Sequence, residues 1–223
     1  MTDAAASVSP SSLPITFMPM HRLSHLATVA MCAAVLAGCA TTSNIPLTNP
    51  TAQVGAYRDT IDLEGKLSAN YEKDGQPQSI TVNFTWLQRP GNIDVSLFLP
   101  LGQTVAMVNV TPAAATLTQS GRAPLVEKDI DTLTAKTLGW TLPVSGLRDW
   151  LQGYAVEAGG KRFAASPAHD SVVTSDGWRL RFVEWQDGPG GRPMPRRIDV
   201  ARGATAAGGD LAIRIIVAPA GQS

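Results

Sequence analysis

The sequence predicts a mainly β domain: a strongly curved antiparallel sheet of about ten strands, with short helices packed into its apolar concave face. Three observations carry this reading. Apolar and polar residues alternate with period two in segment after segment between Ile61 and Val217. Turn signals separate these segments, in a chain with 20 Gly and 16 Pro. Helical patterns are few and short, enough to plug one side of such a sheet but not to cover both faces.

Taken in order, residues 51–60 (TAQVGAYRDT) read as a short helix, with Thr48 or Asn49 as cap and Pro50 in the first turn. From Ile61 the pattern alternates. Leu63, Gly65, Leu67 and Ala69 share one face of a strand ending near Tyr71, and Lys73-Asp74-Gly75 turns the chain. Residues 79–88 give the clearest strand: Ile80, Val82, Phe84 and Trp86 point one way, and Thr81, Asn83 and Thr85 the other. After Pro90-Gly91-Asn92, Ile93, Val95, Leu97 and Leu99 alternate with Asp94 and Ser96. Pro100-Leu101-Gly102 breaks the pattern, a strand resumes from Val105 to Val110, and another covers 114–120. Residues 129–138 read as a helix, with acidic residues at its start, Lys136 near its end and Gly139 stopping it. Val144–Leu151 reads as a second helix, with Leu147, Trp150 and Leu151 on one face and Gly153 as C-cap. Strand patterns return at about 161–166, 170–175, 178–186, 196–202 and 210–217.

Composition removes several function classes. With 18 Lys plus Arg against 18 Asp plus Glu, the chain has no net charge with which to hold a nucleic acid. Hydrophobic residues make up 44% and charged residues 16%, so the chain can bury a core. Two Cys and three His exclude a disulfide scaffold and a Cys- or His-rich metal centre. Catalysis finds no constellation either. Val144-Ser145-Gly146 lacks the upstream Gly of a nucleophile elbow, no Gly-rich phosphate loop occurs, and His169 lies in a Ser/Pro/Asp turn. The reading is therefore no enzyme, no cofactor and no metal.

The N-terminus reads as targeting rather than fold. Residues 1–19 are rich in Ser, Ala and Pro, and Met18 or Met20 is as good a start as Met1. His21 and Arg22 precede an apolar run from Leu26 to Leu36, too short to span a bilayer and right for a signal peptide. It ends in Leu36-Ala37-Gly38-Cys39, which resembles the bacterial lipobox. That resemblance implies cleavage before Cys39, an acylated Cys39 as mature N-terminus, and Ala40 (not Asp) directing the protein to the outer membrane. The expected organisation is 1–38 N-terminal extension and signal peptide, 39–50 lipidated tether, and 51–223 folded domain.

The domain carries, in order, Phe84-x-Trp86-x-Gln88, Pro100-Leu101-Gly102, Gly139-Trp140-x-Leu142-Pro143-Val144, Leu147-x-x-Trp150-Leu151-x-Gly153 and Met194-Pro195. Together with the lipobox these resemble the LolB family of outer-membrane lipoprotein receptors. The resemblance implies an incomplete, half-open antiparallel β-barrel of about ten or eleven strands, with a short helical lid over an apolar cavity. It implies a monomer that accepts acylated lipoprotein cargo from a LolA-type periplasmic carrier and inserts it into the inner leaflet of the outer membrane. It also implies that Leu101, between Pro100 and Gly102, is an exposed loop residue needed for that insertion. Candidates to line the cavity are Val82, Phe84, Trp86, Val95, Leu97, Leu99, Val105 and Met107 from strands, and Leu133, Leu147 and Trp150 from helices; ordinary core packing explains each equally well. The Gly- and Pro-rich segment 187–195 departs from the family pattern, and the weakly patterned end leaves the last strand's pairing open. A second function stays open beside the receptor: a structural or assembly lipoprotein that binds a protein partner through its sheet.

Overall fold

The computed structural model describes residues 51–73, 75–138, 144–204 and 209–219. The lipobox with Cys39, the tether, the Asp74 corner and the segment Gly139 to Pro143 lie outside the described residues. The strands are β1 (Ile61–Lys73), β2 (Gln76–Arg89), β3 (Asn92–Phe98), β4 (Thr104–Val110), β5 (Ala115–Thr118) and β6 (Leu125–Glu127). Two helices follow, α1 (Ile130–Leu138) and α2 (Val144–Trp150). Then come β7 (Tyr154–Val156), β8 (Arg162–Ala164), β9 (Ser171–Val173), β10 (Arg179–Asp187), β11 (Pro193–Arg202) and β12 (Leu211–Pro219).

Ten of these strands form one antiparallel sheet in the order β6-β5-β4-β3-β2-β1-β12-β11-β10-β9. β6 and β9 are its two ends, so the barrel is not closed. The chain between those ends holds both helices and the separate β7–β8 ribbon. The last strand sits at the centre of the sheet, paired with β1 on one side and β11 on the other. The strict alternation of Leu211, Ile213, Ile215 and Val217, all buried, earns it that place.

Curvature has local causes. Phe84 stands opposite Gly65 across β1 and β2. A Cβ on Gly65 would lie 2.8 Å from the Phe84 ring and 2.1 Å from the Ile216 carbonyl oxygen, so only Gly permits that close approach. Bulges interrupt the register between Leu97 and Phe98 and again between Phe182 and Trp185, and each adds local twist.

The core lies on the concave side. Trp86, Trp178, Phe182, Ile198 and Ile215 are all but completely buried. Phe182 stacks on Phe163 of β8, and Trp178 meets Trp150 of α2 edge-on at 6.2 Å, so ribbon and helix are bound to the β10 side of the sheet. α1 starts where Asp129 accepts the Thr132 N–H at 2.7 Å, a side-chain N-cap. α2 ends at Gly153, whose φ of 83° and N–H to Trp150 oxygen close the helix. A Cβ there would sit 2.6 Å from Val54.

Three sequence expectations change. Residues 51–60 are not a helix. Val54 donates to the Ala165 carbonyl at 3.0 Å, and Gly55 accepts the Tyr154 hydroxyl at 2.6 Å, so tertiary partners pull this Gly-containing stretch out straight. In the segment 187–195, Gly188 donates to the Arg192 carbonyl at 2.7 Å around a 3-10 turn at Pro189–Gly191. β11 therefore begins at Pro193, ahead of the expected 196. β6 and β7, three residues each, were not anticipated because so short a run carries no readable period.

Candidate functional site

Between the sheet and the two helices lies an apolar cavity of about 360 Å³. Its sheet wall is built by the inward faces of β2 and β3, with Val82, Phe84, Trp86, Val95, Leu97 and Leu99 side by side. The helices supply Leu133, Val144, Leu147 and, just past α2, Leu151. Three lining residues are polar: Gln119, Thr134 and Thr137. The Thr137 hydroxyl donates to the Leu133 carbonyl at 2.7 Å and that of Thr134 to the Asp131 carbonyl at 3.1 Å. Both hydroxyls are thus used by the helix itself, and the helix surface offers the cavity little hydrogen bonding.

The indole N–H of Trp86 is likewise turned away from the cavity. It donates to Gln88 Oε1 at 3.3 Å, and Gln88, fully buried, donates from Nε2 to the Tyr57 hydroxyl at 3.1 Å. The same hydroxyl accepts from Arg148 Nε on α2 at 3.1 Å. A polar chain that continues past Trp86 along β2 therefore satisfies the one donor a Trp brings.

The structure places Val82, Phe84, Trp86, Val95, Leu97, Leu99, Val105, Leu133 and Leu147 around this one cavity. Two candidates stand elsewhere. Met107 is 51% exposed and points away from the cavity. β4 pairs Ala106 with Leu97 and Thr104 with Phe98, leaving Val105 as the extra residue of a bulge. The period-two pattern therefore slips there: Val105, Ala106 and Val108 face inward and Met107 outward. Trp150 is buried but lies beneath α2 against Trp178, not on the cavity wall. Its indole covers Gly146, where a Cβ would come within 2.5 Å of it. The reading from periodicity also missed Gln88, Tyr57 and Arg148, because a polar chain across such sequence distances leaves no local pattern.

The cavity has a mouth. Leu99 and Ile80 line it and are also 39% and 41% exposed. Two residues on, at most about 7 Å of chain, Leu101 is 98% exposed at the tip of the β3–β4 hairpin. Gly102, with φ 86°, donates to the Leu99 carbonyl at 2.8 Å and makes the corner tight. Among the described residues, the most exposed large apolar side chain is therefore next to the opening of the apolar cavity.

A second hollow, shallower and wider, lies across β1 and β9–β12 and is edged by the ion pairs Arg181–Asp170 and Arg214–Asp199. At about 650 Å³ it is larger than the first, but it is more open and Arg179, Arg181, Asp199 and Arg214 line it, so it shields a hydrocarbon chain from water less well.

The profile of the family described as "Outer membrane lipoprotein LolB" matches residues 59–218. The chain belongs to the LolB family. The outer-membrane lipoprotein LolB of Cupriavidus taiwanensis is 36% identical over 160 residues, covering 70% of this chain and 78% of that relative. The LolB of Ralstonia nicotianae is 34% identical over 191 residues, covering 82% of this chain and 90% of that relative. Among solved structures, a LolA superfamily protein from Nitrosomonas europaea aligns with a TM-score of 0.42 at 6% identity, over 71% of this chain and 84% of that one. As a member of the LolB family the protein is a non-enzymatic receptor of lipoprotein transport at the outer membrane, served by a LolA-type carrier. No helix among the described residues is long and apolar enough to cross a membrane.

Proposed function

We propose that this protein takes the acyl chains of lipoproteins into the cavity between sheet and helices, and releases them into the inner leaflet at the loop carrying Leu101. The single observation behind this reading is the pairing of an almost wholly apolar cavity with an exposed Leu beside its mouth. An acyl chain in water loses about 0.8 kcal/mol per CH₂ relative to an apolar site, so transfer must run from one covered apolar space to another. Leu101, pressed into a bilayer, contributes about 1.5–3 kcal/mol. That is enough to hold the mouth against lipid and too little to anchor the protein.

The anchor in this reading is Cys39, acylated after removal of residues 1–38, with residues 39–50 as tether and the domain from residue 51 acting as a monomer. The proposal is tested by reading the two steps apart. Leu101→Glu is expected to accept cargo from the LolA-type carrier at the normal rate and to deliver it to vesicles far more slowly, because a carboxylate resists entry into lipid. Slowed acceptance would contradict this division. The assembly-lipoprotein reading would lead instead if deacylated cargo bound as well as acylated cargo.

A further inference from the structure

The two helices that cover the cavity are held very differently. α2 is stitched to residues 54–60, the strap that leads into β1. Gln152, just past α2, accepts the Arg58 N–H at 2.9 Å and returns a hydrogen bond to the Arg58 carbonyl at 3.0 Å, as a paired strand would. One turn back, Arg148 donates to the Tyr57 hydroxyl, which also accepts from Gln88 of β2. Arg162 of β8 lies over the Tyr57 ring at 5.3 Å and the Tyr154 ring at 4.6 Å, sandwiching the strap from the ribbon side. On the buried face of α2, Trp150 meets Trp178. Strap, ribbon and sheet thus all grip this helix.

α1 rests on β5 and β6, the thin free end of the sheet. β6 is three residues long and, among the described residues, pairs only with β5. α1 is tied to Glu127 of β6 by Lys136 at 2.6 Å, and to α2 by Asp131, which accepts from the Ser145 hydroxyl and N–H. The Lys136 side chain is 59% exposed, so water and salt weaken the first. Yet α1 contributes Ile130, Leu133, Thr134 and Thr137 to the cavity.

We propose that α2 is a fixed wall and α1 the moving lid, and that Tyr57, whose hydroxyl accepts from both Arg148 and Gln88, is the positioning residue that couples α2 to β2 of the sheet. The proposal rests on the acyl-chain reading of the cavity. An element seated on the short end strands of a sheet opens at lower free energy than one gripped from several sides. Opening then swings α1 away from β6 and the rest of the sheet, while α2 and the Trp86 wall keep their places. An entering chain meets one rigid side and one yielding side, which lets the cavity widen without dismantling its hydrogen-bonded backing.

Two locks on the full-length protein separate the helices. Glu127→Cys with Lys136→Cys, joined by a short bismaleimide, fastens α1 to β6; Arg58→Cys with Gln152→Cys, joined likewise, fastens α2 to the strap. The probe is a fluorescent polyene fatty acid, and the readout is its rate of uptake against the same variants capped singly with N-ethylmaleimide. The α1 lock is expected to slow uptake about tenfold or more and the α2 lock less than about twofold. A third protein, Tyr57→Phe carrying the α1 lock, keeps the ring beneath Arg162 but loses the hydroxyl that holds Arg148; uptake should recover in part, because α2 is coupled less firmly to the sheet. Equal slowing by both locks, or an α1 lock that shuts the cavity as firmly in Tyr57→Phe, would overturn the proposal. Should Tyr57→Phe not fold, the comparison of the two locks decides alone. Failure of every unlocked protein to take up the fatty acid would overturn the acyl-chain reading itself, and the lid assignment with it.

Discussion

Leu101 has almost no folded environment to lose, being 98% exposed on a tight corner. Leu101→Glu should therefore change stability by less than about 0.5 kcal/mol in urea unfolding, while delivery to vesicles collapses. Met107 supplies a control of the opposite kind. It faces outward on β4, so Met107→Gln should leave fatty-acid binding unchanged, whereas Val108→Asp on the cavity wall should abolish it. A loss with Met107→Gln comparable to that with Val108→Asp would mean that the bulge at Val105 does not set the facing of β4. Gly153 tests a backbone requirement: Gly153→Ala places a Cβ at positive φ and against Val54, and should destabilise by about 1–3 kcal/mol. At this scale the sequence was informative wherever a side chain acts through its own exposure or period. The Leu between Pro100 and Gly102 stood out because alternation stops there. Met107 was misfaced because one extra residue, Val105, inverts everything after it, and nothing in the local pattern marks a bulge.

Among elements, α1 is the one whose stability should follow pH through a single carboxylate. The Asp129 carboxyl is held below its usual value, first by the Thr132 N–H and then by the Thr132 hydroxyl. A lowered folded value means that the cap's contribution is complete above the free-acid value of 3.8 and fades as pH falls through the lowered one. Asn caps a helix about as well as Asp but does not titrate here. The stability difference between the wild type and Asp129→Asn, followed by amide exchange of α1, should therefore shift against the wild type on acidification. A difference independent of pH would show that the carboxylate is not the cap. The strands with long alternating faces, β1, β2, β10 and β12, were legible from sequence alone, as were both helices. The segment 51–60 was not, because its conformation is decided by Ala165 and Tyr154, more than ninety residues away, as the Tyr154–Gly55 hydrogen bond spans a separation of 99.

For the molecule as a whole, the sheet order explains why the cavity exists. β1 and β12 pair at the centre, and the strands run outward to two unjoined ends, β6 and β9, between which the chain returns through α1, α2 and the ribbon. A closed ten-stranded barrel would need no lid; an open one exposes its concave face unless helices cover it. The alternating pattern alone indicated a curved sheet with covering helices, and the ordered resemblance to the LolB family supplied the half-open barrel and its cavity. Neither indicated which helix is tied down, since Tyr57, Gln88 and Arg148 meet only after the sheet has formed. The anchor belongs to this scale too: intact mass of the mature protein should correspond to loss of residues 1–38 plus added lipid on Cys39, and an unmodified chain that keeps residues 1–38 would contradict it. The most direct test of the receptor account is competition at the cavity. A fluorescent polyene fatty acid bound to the full-length protein is challenged with lipoprotein presented by the LolA-type carrier, in acylated and in deacylated form. The account predicts displacement by the acylated lipoprotein and none by the deacylated one; displacement by both alike would show that the protein surface of the cargo, not its acyl chain, is what this receptor recognises.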